Sequence, residues 1–263
     1  MSTEQTIRIQ AKQSLKGNWG LLIAAVIFIS IIMLFLNSVS NVIGLFFKVF
    51  DTDTGMVLNN KQWIYQIISC GMAVPALLAT PLINGAYKMF YNISQNSKTE
   101  MSDLFYYFRG MSRYLKTLSL NILISLMYFV ISYGLDCYAY VSAFSGKSLQ
   151  NGLTTDIMTL ALLGAMVVSV AIKFLAYFIF VHFVLFAYAQ DDSKKVLHYV
   201  FGICSFSVKH LGETIKLLFT FLGWIALCFF VVPAFYVLPY IMTSFATSAK
   251  WLFALEKDRG LLC

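Results

Sequence analysis

Ile157-Met-Thr-Leu-Ala-Leu-Leu-Gly-Ala-Met-Val-Val-Ser-Val-Ala-Ile-Lys173-Phe-Leu-Ala-Tyr-Phe-Ile-Phe-Val-His182-Phe-Val-Leu-Phe-Ala-Tyr-Ala189 contains one charged side chain, Lys173, and one imidazole, His182. A helix of roughly 20 apolar residues spans a hydrocarbon core of about 30 Å, and water-soluble domains almost never bury an unbroken apolar run of this length. The run is therefore read as a membrane span, and the rest of the chain is organised around it.

Composition points the same way. Apolar residues make up 59% of the 263 and charged residues 12%, half the roughly 25% usual in soluble domains. The net charge of +7 does not imply nucleic acid, because the basic residues flank apolar runs, where they anchor cytoplasmic loops. The five cysteines form no CxxC pair and no metal-ligand spacing with a histidine. No zinc-protease, nucleophile-elbow, Walker A or dinucleotide glycine motif is present, so no catalytic activity, cofactor or metal is expected.

Outward from the organising run, the sequence predicts an all-α polytopic membrane protein with six spans and two amphipathic cytoplasmic connector helices. Residues 1–19, with Arg8, Lys12 and Lys16 at four-residue spacing, read as an amphipathic helix on the membrane surface. Residues 20–255 form the six-span domain and 256–263 a cytoplasmic tail. The spans fall at Gly20 to Phe47, within Trp63 to Ile93, at Tyr114 to Val141, at Ile157 to Ala189, at Ile215 to Val232 and at Ala234 to Phe253, with Pro233 in a tight turn. Pro75 and Pro81 each remove a backbone donor and predict a kink or break in the second span. External loops follow near Asp53 and from Ser142 to Asp156. Of the 19 Lys and Arg residues, 15 lie on the side of the termini and the two connectors, which places both termini in the cytoplasm of a multi-pass cell-membrane protein.

Lys88 to Lys116 and Gln190 to Lys216 join basic to aromatic or aliphatic residues, so Arg109, Arg113, Lys194, Lys195 and Lys209 are candidate contacts to anionic lipid head groups. An offset of roughly 96 to 100 residues relates the span–connector–span units as a weak parallel repeat.

Five polar residues of the spans are candidates for an intramembrane site: Asn84, Asn121, Asp136, Lys173 and His182. An intramembrane lysine costs about 2.5–3.5 kcal/mol at the bilayer centre. Lys173 meets that cost either by snorkelling to the outer interface or by pairing with Asp136 at a similar depth. It continues the small-residue stripe Ala161, Ala165, Ser169, which favours the inward orientation, and His182 lies on the opposite helix face.

Gly17-Asn18-Trp19 after a basic start, Pro81-Leu82 with Gly85, Asp103-Leu104-Phe105, Leu222-Gly223-Trp224 and Pro239-Tyr240, in this order and spacing, resemble the bacterial integral membrane family known as domain of unknown function 975. Where that family commonly has Met-Lys-Gly before the fifth span, this chain has Val208-Lys209-His210, so only the lysine carries over. The resemblance implies a Gram-positive bacterial cell membrane, a bundle of about six spans and no established activity. Three readings of function remain. The preferred one is a non-enzymatic protein that organises or senses the membrane, or binds membrane protein partners, through its connectors. The second is a small transporter using the kinked second span and Lys173, and an enzyme acting on lipid head groups is a distant third.

Overall fold

A backbone in an apolar medium has to satisfy its own hydrogen bonds, and the apolar runs of this chain do so as helices. The computed structural model describes residues 3–50, 57–147, 181–228 and 231–258, together with Gly164, Ser169, Ile172 and Lys173. In order these are α1 (Thr3–Leu15), α2 (Trp19–Phe46), α3 (Gln62–Ala79), α4 (Pro81–Ser94), a 3₁₀ helix at Met101–Phe108, α5 (Met111–Lys147) and α6 (His182–Gln190). There follow a π turn at His198–Gly202 running into α7 (Ile203–Lys209), then α8 (Leu211–Thr220), α9 (Leu222–Leu227) and α10 (Val231–Asp258). Among the described residues there is no strand.

Among the described residues two stretches are long and apolar enough to cross a membrane, Trp19–Phe46 and Gln62–Ser94. The way they meet their surroundings is informative. Leu22 and Ala25 at the start of α2 are buried, but farther on Leu34, Phe35 and Phe46 are 64%, 66% and 83% exposed, and α3 has no buried residue at all. Helices whose large apolar side chains face outward on this scale need a solvent other than water.

The packed core gathers around α4. That helix touches α1, α2, α3, α5, α6, α10 and the 3₁₀ helix, and nearly all of it is buried. Two sequence features permit this. Pro81 sits at the first position of α4, where its missing N–H needs no partner, and Gly85 lets the 3₁₀ backbone close in, since a Cβ there would lie 2.0 Å from the Leu104 carbonyl oxygen. In α10 every residue from Thr243 to Ala249 is buried, a stretch of mostly small residues that admits neighbours from all sides.

Several expectations need correction. The N-terminal segment is helical, and one face of it docks on the protein. Ile7, Ala11 and Leu15 form an i, i+4, i+8 stripe buried largely against α10, and Arg8 Nε donates to Tyr240 Oη at 3.3 Å. Pro233 lies in the first turn of α10 instead of in a tight turn, and a proline is tolerated there because the first N–H groups of a helix have no intrahelical acceptor. The helix at the third span starts at Met111 and extends to Lys147, past the expected start of the external loop. The stretch assigned to the fifth span is divided among α8, α9 and the first residues of α10. Of the two prolines expected to kink or break the second span, Pro75 lies within a continuous helix, whereas an interruption falls at Thr80, directly before Pro81; Thr80 keeps helical dihedrals (φ −57°, ψ −30°), and its hydroxyl donates to Leu77 O at 2.6 Å.

Candidate functional site

The two connectors differ in local structure but converge on one another. The first is a 3₁₀ helix, opened by a capping box in which Glu100 N donates to Asp103 Oδ2 at 3.1 Å. Its three-residue period places Leu104 and Tyr107 inward, both fully buried, and leaves Phe105 and Phe108 at 40% exposure each. The second connector begins with a non-helical Asp191–Lys195 turn at the end of α6.

A tyrosine network joins them. Tyr107 stacks on Tyr188 with ring centroids 5.2 Å apart, and Tyr188 meets Tyr199 edge-on at the same distance. Tyr107 Oη donates to Tyr188 O at 3.4 Å, and Tyr188 Oη shares a 2.9 Å hydrogen bond with Thr117 Oγ1. Burial pushes the Tyr107 phenol well above its usual range and that of Tyr199 up to about 12, so both remain donors. Tyr199 Oη donates to Asp191 O and accepts from Lys194 N at 3.1 Å.

Charge pairing reinforces the contact. Arg113 Nε lies 3.1 Å from Asp192 Oδ2, Tyr106 Oη donates to the same oxygen at 3.4 Å, and Lys116 Nζ donates to Asp192 O. Lys88 and Arg113 lie over the Tyr106 ring at 4.1 and 4.3 Å, and Lys88 Nζ reaches Ala189 O at 3.3 Å, the carbonyl end of α6.

A second cluster ties connector two to α10. Lys209 Nζ donates to Glu256 Oε1 at 2.8 Å and Oε2 at 3.1 Å, and His210 Nε2 lies 3.1 Å from Oε1. The Lys209 hydrogen bond holds the Glu256 carboxyl below its ordinary range, against the opposing effect of burial. A carboxylate lowered in this way adds stability that is complete above its unfolded value and is lost as the pH falls through the folded one. The thermal midpoint should therefore drop as the pH is taken from about 6 toward about 3, with a shallower slope for Glu256→Gln, as followed by tryptophan fluorescence.

The candidate lipid contacts are accordingly divided. Arg113 and Lys209 are committed to Asp192 and Glu256, and Arg109 Nη2 donates to Ser102 O at 3.0 Å. Lys195 is exposed, and Lys194 lines a cavity of about 280 Å³ at the end of α6. The acids Asp192 and Glu256 and the tyrosines Tyr188 and Tyr199 are the partners sequence reasoning missed. Their signal was the presence of a few acids among basic residues, in the second connector and at the start of the tail.

Of the polar residues expected inside the spans, Asn84 and Asn121 come together. Asn121 Nδ2 donates to Asn84 Oδ1 at 3.0 Å and to Thr80 Oγ1 at 2.8 Å, bridging the α3–α4 junction to α5, while Asn84 Nδ2 is buried with no hydrogen-bond partner. Interhelical hydrogen bonds of this kind contribute about 1 kcal/mol. Asn121→Ala should cost about that much in chemical unfolding, and Asn84→Ala should add much less in the Asn121→Ala background than alone. His182 lies elsewhere in the core, edge-on to Phe186 and Phe245 with Tyr87 Oη 3.5 Å from Nδ1. Lys173 is helical and half-buried, and the Asp136 side chain lies outside the described residues, as does its pairing with Lys173.

Among the described residues no group of three His, Cys, Asp or Glu side chains is arranged to hold a metal ion. A family model described as "Protein of unknown function (DUF975)" matches residues 1–248. No curated protein and no solved structure matches the chain.

Proposed function

Since the chain belongs to the DUF975 family of unknown function, we propose from its own geometry that it is a non-enzymatic, multi-pass cell-membrane protein. In this reading its connectors form a rigid basic platform on the cytoplasmic face that holds anionic lipid or a membrane partner. The observation that carries the reading is the clasp between the connectors. Arg113, Tyr106 and Lys116 all converge on Asp192, beside helices whose apolar side chains face outward. A clasp of this kind gives a preorganised surface, and preorganisation lowers the ordering cost of binding.

Orientation is tested with a single cysteine at position 150 in a background where the five native cysteines are serine. Labelling by an impermeant reagent in intact cells is expected, and labelling only after permeabilisation would invert the topology. The platform itself is tested by lipid retained through purification of the full-length protein. Anionic lipid should be enriched over zwitterionic lipid and washed out by salt, and equal retention of both classes would contradict the platform.

A small transporter is the second reading, and one observation favours it: the buried, unpartnered Asn84 Nδ2 beside the α3–α4 junction. Discontinuous helices with a free polar group are where transporters bind solute. A solute that raised the melting temperature of the parent protein but not of Asn84→Ala would move the assignment to that reading.

A further inference from the structure

The cavity at the end of α6 is built differently from the rest of the platform. Its basic lining residues Lys194, His198 and Lys257 come from the connector turn, the π turn and the last turn of α10, whereas Ile203 and Phe253 supply an apolar wall. The one acid in the lining, Asp191, accepts the Ser193 N–H at 2.9 Å and keeps its negative charge, so that Lys194 and Lys257 still leave the pocket an excess of positive charge to which His198 adds a donor. The rim is held rigid by the chain of hydrogen bonds from Lys194 N through Tyr199 Oη to Asp191 O.

We propose that this cavity is a binding site for the phosphate of an anionic phospholipid, with Lys194, His198 and Lys257 around the phosphate and the glycerol backbone against Ile203 and Phe253. The inference rests on the platform reading and narrows it to one pocket. Three features favour a lipid over a soluble phosphate compound. A free phosphate has no use for the apolar wall, whereas the first methylenes of an acyl chain bury against it. At about 280 Å³ the cavity falls just below the roughly 300–1,000 Å³ typical of sites for drug-sized ligands, enough for a head group with its glycerol but not for a dinucleotide. Its walls also come from the two segments, connector two and the end of α10, that flank apolar helices, the depth at which lipid phosphates lie. Lysine suits this role as a point charge that approaches a phosphate from many directions.

The full-length protein in neutral detergent is titrated with short-chain phosphatidylglycerol, with phosphatidylcholine of the same chains and with glycerol phosphate, and bound molecules are counted by native mass spectrometry. One tight phosphatidylglycerol is expected, with the other two probes at least about tenfold weaker: phosphatidylcholine brings a cation to a basic pocket, and glycerol phosphate lacks the acyl methylenes, of which about two buried against Ile203 and Phe253 supply that factor. Lys257→Gln should weaken phosphatidylglycerol about tenfold and Lys257→Arg should restore it, while Lys98→Gln, an equal loss of charge at an exposed site in connector one, should leave it unchanged. His198→Gln removes a second donor independently, so a folding defect in one variant does not decide the matter.

Glycerol phosphate binding as tightly as the lipid would overturn the lipid assignment. Parent-like affinity in both Lys257→Gln and His198→Gln, with the anionic preference intact, would overturn the pocket and leave the platform standing. No anionic preference in the parent protein would overturn both.

Discussion

Gly85→Ala is expected to abolish the native packing of the first connector and sharply reduce folded yield. On propensity alone the change should help, by up to about 1 kcal/mol, since alanine is the better helix former. The added Cβ, however, would lie 2.0 Å from the Leu104 carbonyl oxygen and 2.7 Å from its carbon. Those are backbone atoms, so no side-chain rotation relieves the clash, and the cost should reach or exceed the top of the roughly 1–3 kcal/mol range for overpacking. The clash wins. Gly71→Ala in α3 provides the control, because a methyl group added there meets nothing within 4 Å and that substitution should be neutral or stabilising. Thermal unfolding of the two variants side by side checks the prediction, and equal midpoints would show that the 3₁₀ helix does not sit this close to α4.

The second large effect is expected at Tyr107. Truncation to alanine empties a fully buried aromatic site and removes the stack with Tyr188, which places the cost near the roughly 3–5 kcal/mol of large aromatic-to-alanine changes in cores. Tyr107→Phe keeps the ring and loses only the long 3.4 Å hydrogen bond to Tyr188 O, a change of about 1 kcal/mol or less. The two substitutions also separate packing from polarity in the clasp. In Tyr107→Ala the connectors should exchange backbone amide protons faster at both Met101–Phe108 and Asp191–Tyr199, whereas Tyr107→Phe should keep the parent protection pattern. Protection lost in the first segment alone would mean that Tyr107 does not couple them.

These predictions involve residues of unequal legibility. The long helices were readable because apolar side chains recur without a break, and a single continuous run of that length satisfies its own backbone inside lipid only as a helix. The aromatic run Phe105 to Phe108 was readable as amphipathic, but its period was not. In a 3₁₀ helix the buried pair is Leu104 and Tyr107, a selection that follows from how closely α4 approaches and not from the run itself. Counting Lys and Arg located the positive charge in the connectors and terminal segments, yet the function of each cation depended on a few acids. Asp192 takes Arg113, and Glu256 takes Lys209, contacts spanning 79 and 47 positions of sequence that no local pattern encodes. Asn84 and Asn121 were identified one by one as polar residues in apolar runs, and their mutual hydrogen bond required knowing that α4 packs on α5.

The docking of α1 on α10 has a consequence for the order in which the protein is made. Arg8 and its acceptor Tyr240 are 232 residues apart, which at about 5–20 residues per second amounts to roughly 12–46 s of translation. Throughout that interval the stripe Ile7, Ala11 and Leu15 has been synthesised and its destination has not. An amphipathic basic helix beside an anionic membrane would adsorb to it, and such adsorption would keep the stripe out of water until α10 emerges.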